Sequence, residues 1–228
     1  MFLRIKIIYT CVKFSYMLIL CALRSSEGKT QFACSLAINI SLIKSQIEIC
    51  KIGPDYIDII NINQIRNNTF INIPIRIDYK IITWLLWIGK IGLIEDNMGL
   101  LDNIIQTSAI NTYTLLANRK NKFILILNCA TGQQTNVCTI SILWPLISWL
   151  ILNNIASYKH ENLLVNEFKS SKAPPICGIL YRNATIVMKQ RHLGLIQFVE
   201  INLTKKSYFN LLIKWTFIQC NMKWILIV

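Results

Sequence analysis

Several large functional classes leave marks that this sequence lacks. Its eight cysteines (Cys11, Cys21, Cys34, Cys50, Cys129, Cys138, Cys177 and Cys220) include no C-x-x-C pair and no nearby histidine at ligand-like spacing. Zinc-site and dithiol redox motifs are therefore unsupported. Several of these cysteines sit in apolar runs, where a free thiol behaves as a small hydrophobe, so a reducing, cytoplasmic setting fits better than disulfide pairing. Negative charge is scarce as well: 24 Lys and Arg stand against 11 Asp and Glu, a formal net charge of +13. The cations nonetheless form no run of five and interleave with no aromatic platform, which argues against a nucleic-acid partner. No apolar run suits a bilayer either, because the stretch 16–22 is too short and 140–152 is broken by Pro145. Arg4, Lys6 and Lys13 ahead of the first apolar stretch give it the look of a signal peptide. It feeds straight into a loop-like segment, however, and reads as a buried first strand. No repeat, linker or low-complexity tract divides the 228 residues, of which 54% are hydrophobic and 15% charged. One globular domain over 1–228 is expected.

What is present is an alternation of strand-like and helix-like segments. The first apolar run is followed by Ser25-Ser-Glu-Gly-Lys-Thr30 and then by Phe32, Leu36, Ile40 and Ile43 at helical spacing. A second strand is expected over 46–52, ending at Gly53-Pro54, a third over 90–94, a fourth over 123–127, a fifth over 149–152 ending at Asn153, and one more over 174–180. Helices are expected around 103–118 and 160–170. This order predicts an α/β fold, a mostly parallel sheet with helices on both faces. In such a sheet ligands sit beyond the carboxyl ends of the strands. Gly28-Lys29-Thr30, the segment 51–58, the segment 95–102 and Asn153 would then share one edge.

Strand, then Gly28-Lys29-Thr30, then helix is the order of a phosphate-binding loop: backbone N–H groups face the phosphates, Lys29 neutralises them and Thr30 can hold Mg2+. Leu23 stands where the general motif has its first Gly. The bare pattern also accommodates an exposed helix start with Lys29 in solvent. Likewise Asp55 after Pro54 reads as a turn and Asp58 as a cap. Glu95 at the end of an apolar strand is less ordinary, since a carboxylate there is costly unless paired or metal-bound.

Lys51-Ile-Gly-Pro-Asp-Tyr-Ile-Asp58 resembles the K-x-G-P-D-Y-I-D motif of the cobyrinic acid (or hydrogenobyrinic acid) a,c-diamide synthases. Glu95-Asp-Asn-Met-Gly-Leu-Leu-Asp102 is similar to that family's E-G-V-M-G-L-Y-D. Ile151-Leu-Asn-Asn-Ile-Ala-Ser-Tyr-Lys-His160 is similar to its I-L-N-R-V-G-S-x-x-H, and Arg191-His-Leu-Gly-Leu195 matches R-H-L-G-L. With the phosphate loop these motifs cover about 16–200 in the family's order. Ser26 replaces the usual inner Gly of the loop, Asp96 and Asn97 replace Gly and Val, Asn103 replaces a Gly, and Asn128 stands where Asp is usual.

The resemblance implies a phosphate-loop NTPase-type fold like that of dethiobiotin synthetase, and a carbon–nitrogen ligase that uses ATP and Mg2+ to amidate the a and c carboxylates of a corrinoid acid through acyl phosphates. Lys51, Asp55, Asp58, Glu95 and Asp102 would be catalytic. Ser25, Gly28, Lys29, Thr30 and Asn153 would bind nucleotide, with Asn153 at the adenine, while Thr30 and Glu95 hold Mg2+. Tyr56, Arg191 and His192 would contact the substrate. The family's glutamine-hydrolysing domain is not expected within the 228 residues, so nitrogen would come from free ammonia or a separate glutaminase subunit. No membrane or nucleic-acid partner is implied, and a homodimer is left open. A dethiobiotin synthetase-like ligase is the nearest alternative, followed by a non-catalytic phosphate-loop ATPase and a degenerate subunit.

Overall fold

Uninterrupted apolar runs such as Leu18–Ala22 suit strands covered on both faces, the usual environment of a parallel sheet. The computed structural model describes residues 18–34, 47–52, 70–73, 91–96, 99–100, 122–131, 141, 143–182, 190–191 and 194–195. Seven strands form one sheet: β1 (Leu18–Ala22), β2 (Ile47–Ile52), β3 (Phe70–Ile73), β4 (Ile91–Glu95), β5 (Lys122–Asn128), β6 (Trp149–Ile155) and β7 (Ile176–Tyr181). Their order is β3-β2-β4-β1-β5-β6-β7, and every neighbouring pair is parallel. A short antiparallel pair, β8 (Gln190–Arg191) and β9 (Gly194–Leu195), lies apart from it in the pairing.

The period of two along each strand divides the core. Ile19, Cys21 and Leu23, Phe123, Leu125 and Leu127, and Leu150 and Leu152 pack in one cluster with Leu164 and Phe168 of the helix Tyr158–Ser170. Burying the two helix side chains contributes about 1.5–3 kcal/mol each. The alternate residues Leu20, Ala22, Ile126 and Ile151 are also fully buried, so the sheet is covered on both faces. Five described cysteines, Cys21, Cys34, Cys50, Cys129 and Cys177, are reduced thiols. Burial pushes Cys177 up to about 12. They serve as small apolar side chains rather than nucleophiles.

The helix Tyr158–Ser170 starts where Ser157 accepts a hydrogen bond from the His160 backbone N–H at 3.3 Å. In return, His160 Nδ1 accepts from the Ala156 N–H at 3.3 Å. The S-x-x-H spacing in the sequence is thus a reciprocal helix cap. At the other end Lys172 takes φ 54°, with the Ala173 N–H donating to the Phe168 carbonyl at 3.1 Å and the Lys172 N–H to Lys169 at 3.4 Å. That is a left-handed helix stop on a residue other than glycine.

Three expectations are adjusted. The strand at Ile91–Glu95 is fourth in the chain, because Phe70–Ile73 forms an edge strand that four residues with a central Asn do not announce. β6 runs to Ile155 instead of stopping at Asn153, and the helix begins at Tyr158, two residues before the apolar pattern suggests. The helix expected around 103–118 lies outside the described residues. Among the described residues no helix is long and apolar enough to cross a membrane.

Candidate functional site

β1 lies between β4 and β5; the chain goes from β1 to β2 and β3 on one side, returns to β4, and continues through β5, β6 and β7 on the other, so the carboxyl end of β1 lies where the strand order reverses. The chain leaves β1 through 23–28 and becomes helical over 29–34, with the Phe32 N–H donating to the Gly28 carbonyl at 3.0 Å. Two residues of this loop adopt left-handed backbone, Ser26 at φ 62° and Gly28 at φ 99°. The φ at 28 favours glycine, and an added Cβ would lie 2.6 Å from Asn153 Nδ2, so that a larger residue would push this side chain aside. Ser26 holds the same half of the map without that freedom. Lys29 is buried, Thr30 half-buried, and Ser25 exposed.

Thr30, Lys51 and Glu95 come from three elements and meet. Lys51 and Glu95 are register partners on β2 and β4, which places them side by side at the strand ends. Lys51 Nζ stands 3.5 Å from Glu95 Oε1, the Thr30 hydroxyl donates to the same oxygen at 2.5 Å, and Lys51 Nζ donates to Thr30 Oγ1 at 3.4 Å. Glu95 is 1% exposed and Lys51 4%. A carboxylate that ends a buried strand is tolerable only with such partners.

The segment after β4 crosses the exit of β1. The Asp96 N–H donates to the Leu20 carbonyl at 3.0 Å and the Leu100 N–H to that of Ala22 at 2.8 Å. Between them Gly99 lies so near the loop that a Cβ would fall 2.2 Å from Arg24 Cα and 2.4 Å from the Leu23 carbonyl oxygen. The glycine in the segment 95–102 therefore has a steric cause: two backbones pass in contact.

Glu27 was not anticipated. Its side chain is 4% exposed and folds back inside the loop, where Oε2 accepts the Leu23 N–H at 3.1 Å. Burial pushes its carboxyl up to about 7, opposed by hydrogen bonds from the Leu23 and Arg24 backbones and by the charges of Lys29 and Arg24. The signal lay in the sequence, since an acidic residue is out of character in a loop with the pattern of a phosphate-binding turn.

On the other flank three strand-end asparagines are linked. Asn153 Nδ2 donates to the Glu27 carbonyl at 2.9 Å, and its Oδ1 accepts the Asn154 N–H at 2.9 Å. Asn154 Nδ2 donates to Asn128 Oδ1 at 3.0 Å, which also accepts the Ala130 N–H at 3.1 Å. Farther along this edge the Tyr181 hydroxyl donates to Glu161, a buried helix carboxylate. Desolvation and that hydrogen bond push the Tyr181 phenol up to about 12.

Of the residues singled out from sequence, Ser25, Gly28, Lys29, Thr30, Lys51, Glu95 and Asn153 share this edge. Asp55, Tyr56, Asp58, Asn97, Asp102, Asn103 and His192 lie outside the described residues. Arg191 belongs to β8, and its side chain is outside them too. Among the described residues no three His, Cys, Asp or Glu side chains gather as a metal cluster.

No family model matches the chain. Its sequence is 26% identical over 194 residues to a cobyrinate a,c-diamide synthase of Thermoplasma acidophilum, covering 81% of this chain and 44% of that protein. It is 29% identical over 190 residues to the enzyme of the same name from Clostridium acetobutylicum, covering 78% and 43%. A hydrogenobyrinate a,c-diamide synthase of Streptomyces coelicolor is 26% identical over 201 residues, covering 80% and 40%. The chain thus spans less than half the length of these relatives. Among solved structures, the MinD cell division protein of Aquifex aeolicus superposes with a TM-score of 0.53 at 10% identity, covering 88% of this chain and 96% of that one. The signal recognition particle receptor FtsY of Elizabethkingia anophelis in complex with GDP gives 0.52 at 10% identity, covering 87% and 64%. The fold is that of the phosphate-loop NTPases, as the order of strand, Gly-Lys-Thr and helix suggests.

Proposed function

We propose that the chain is the synthetase region of an ATP-dependent amide-forming ligase that converts the a and c carboxylates of cobyrinic or hydrogenobyrinic acid to amides. The observation that carries this reading is the meeting of Thr30, Lys51 and Glu95 beside Lys29 at the edge where β1, β2 and β4 end. The similarity to cobyrinate and hydrogenobyrinate a,c-diamide synthases over about four-fifths of the chain supports it.

A carboxylate resists amination because hydroxide is a poor leaving group, so the oxygen must first be phosphorylated. Transfer between two anions is limited by repulsion and alignment, and positioned positive charge is the main remedy. In this reading Lys29 binds the nucleotide phosphates together with the loop N–H groups, and Ser25 lines the loop. Lys51 neutralises the transferring phosphoryl group or the substrate carboxylate. Thr30 and Glu95 offer a hydroxyl and a carboxylate oxygen side by side, a donor set that fits Mg2+, which favours one or two carboxylates plus phosphates and water. Asp55 adds a further ligand, direct or through water. Mg2+ supplies charge neutralisation at the phosphates. Asp58 or Asp102 accepts the proton shed as ammonia attacks, Asn153 borders the nucleotide, and Tyr56, Arg191 and His192 hold the corrinoid's carboxylates. Ammonia supplies the nitrogen, and each turnover releases ADP and phosphate.

The test is incubation with ATP, Mg2+, ammonium and cobyrinic or hydrogenobyrinic acid, read by mass spectrometry. Replacing each acyl OH by NH2 lowers the mass by roughly one unit. Unchanged corrinoid from folded protein sinks the proposal. One observation favours a second reading, a fold kept without turnover: the Glu27 carboxylate sits inside the loop that would receive phosphates. Corrinoid-dependent ADP release that disappears in Glu95→Gln excludes it.

A further inference from the structure

The expectation for Asn153 is contact with the nucleotide base. Its surroundings give it a second role. β6 pairs regularly with β5 as far as Asn128 and Asn153, but its ladder with β7 shifts register between Leu152 and Ile155. The irregularity coincides with Asn154, whose φ of 59° is left-handed, a conformation that Asn tolerates better than other residues with a Cβ. Such bulges re-aim a side chain at the end of a strand. Here the turn brings Asn153 Nδ2 to the Glu27 carbonyl and against Gly28, where even a methyl group would collide with it at 2.6 Å. Asn153 Oδ1 is held by the Asn154 N–H, and the Asn154 side chain is anchored on Asn128. A primary amide has two N–H donors and one carbonyl. One of the two donors and one of the carbonyl's two lone pairs are engaged within the protein, and the engaged donor serves the loop.

We infer that Asn153 is a positioning residue that fixes the loop through the Glu27 carbonyl, braced by Asn154 and Asn128, a role separate from any contact with the nucleotide base. The inference rests on the proposed nucleotide site for its meaning but not for its first test. Glu27 and Gly28 carry the peptide groups nearest Lys29, so a donor that holds the Glu27 carbonyl sets the direction of the N–H groups that follow it. A base reader would act on adenine alone. A loop brace acts on any polyphosphate.

The first measurement is hydrogen exchange in the nucleotide-free protein. Asn153→Ala is expected to speed exchange over 23–28 while β5 and β6 keep their protection. The second is binding of Mg2+-ATP, Mg2+-GTP and Mg2+-tripolyphosphate by calorimetry. Loss of the hydrogen bond to a buried carbonyl is expected to weaken all three alike, by roughly tenfold. Asn154→Gly keeps the left-handed backbone and removes only the link to Asn128, so it should fold normally and give a smaller loss of the same pattern, about threefold. Unchanged loop exchange in both variants overturns the inference, as does a loss confined to ATP with tripolyphosphate unaffected. A wild-type chain that binds none of the three polyphosphates overturns the proposed function instead, and the exchange result then decides the role of Asn153 by itself.

Discussion

Replacing Glu27 by Gln should change how stability depends on pH. The folded chain holds this carboxyl at about 7, raised from 4.5 chiefly by burial. Between those two values the folded state binds more protons at this position than the unfolded state, so stability falls as pH rises from about 4.5 and levels off above about 7. A shift of this size corresponds to about 3 kcal/mol between the ends of the window. The amide of the Glu27→Gln variant would retain an acceptor for the Leu23 N–H without the cost of a buried charge. Urea denaturation of wild type and variant from pH 5 to 8.5 should therefore give curves that diverge with rising pH, the variant gaining up to about 3 kcal/mol at the alkaline end. Lys29 and Arg24 already moderate the charge of Glu27, so their own substitution to neutral residues should enlarge the gap. The same Gln substitution should tighten nucleotide binding more at pH 8 than at pH 6, since only the ionised carboxylate repels phosphate. Parallel stability curves across the whole range would refute the argument.

Lys51→Met removes the cation beside buried Glu95 and should cost about 3–5 kcal/mol, whereas Lys51→Met combined with Glu95→Gln should cost less than the two single changes added together. Additive costs in urea melts would show the pair to be uncoupled. Gly99→Ala places a Cβ against the backbone of Leu23 and Arg24 and should destabilise by about 1–3 kcal/mol, measured as a fall in urea midpoint. Ser157→Ala deletes the helix cap and should cost about 1 kcal/mol, read as a lower thermal midpoint. Ser26→Gly relieves a left-handed position, with an expected gain of about 1 kcal/mol for the loop, seen as slower hydrogen exchange over 23–28.

The central strands were legible because burial on both faces leaves the same trace as any parallel core: Leu18–Ala22 and 123–127 are apolar without alternation. Glu95 was legible for the opposite reason, as a charge at the end of such a run, whereas Lys51, inside the alternating β2, was marked only by the resemblance of the segment 51–58. Short β3 was not, since four residues at a sheet edge need no long hydrophobic signal. Glu27 was not legible because the loop motif constrains its fixed positions and leaves this one variable. The asparagine chain could not be read at all from spacing: Asn128 and Asn154 are 26 residues apart, and only the register of β5 with β6 and a left-handed turn bring their amides together. Asn153 itself stands out in the sequence for one role, while its neighbours in space point to another.

The contact of Asp96, Gly99 and Leu100 with the end of β1 bears on how the molecule can move. Two backbone hydrogen bonds tie Asp96 and Leu100 to Leu20 and Ala22 of β1, and Gly99 meets the loop at Leu23 and Arg24 in a contact too tight for a methyl group. Neither can be displaced far without carrying the other.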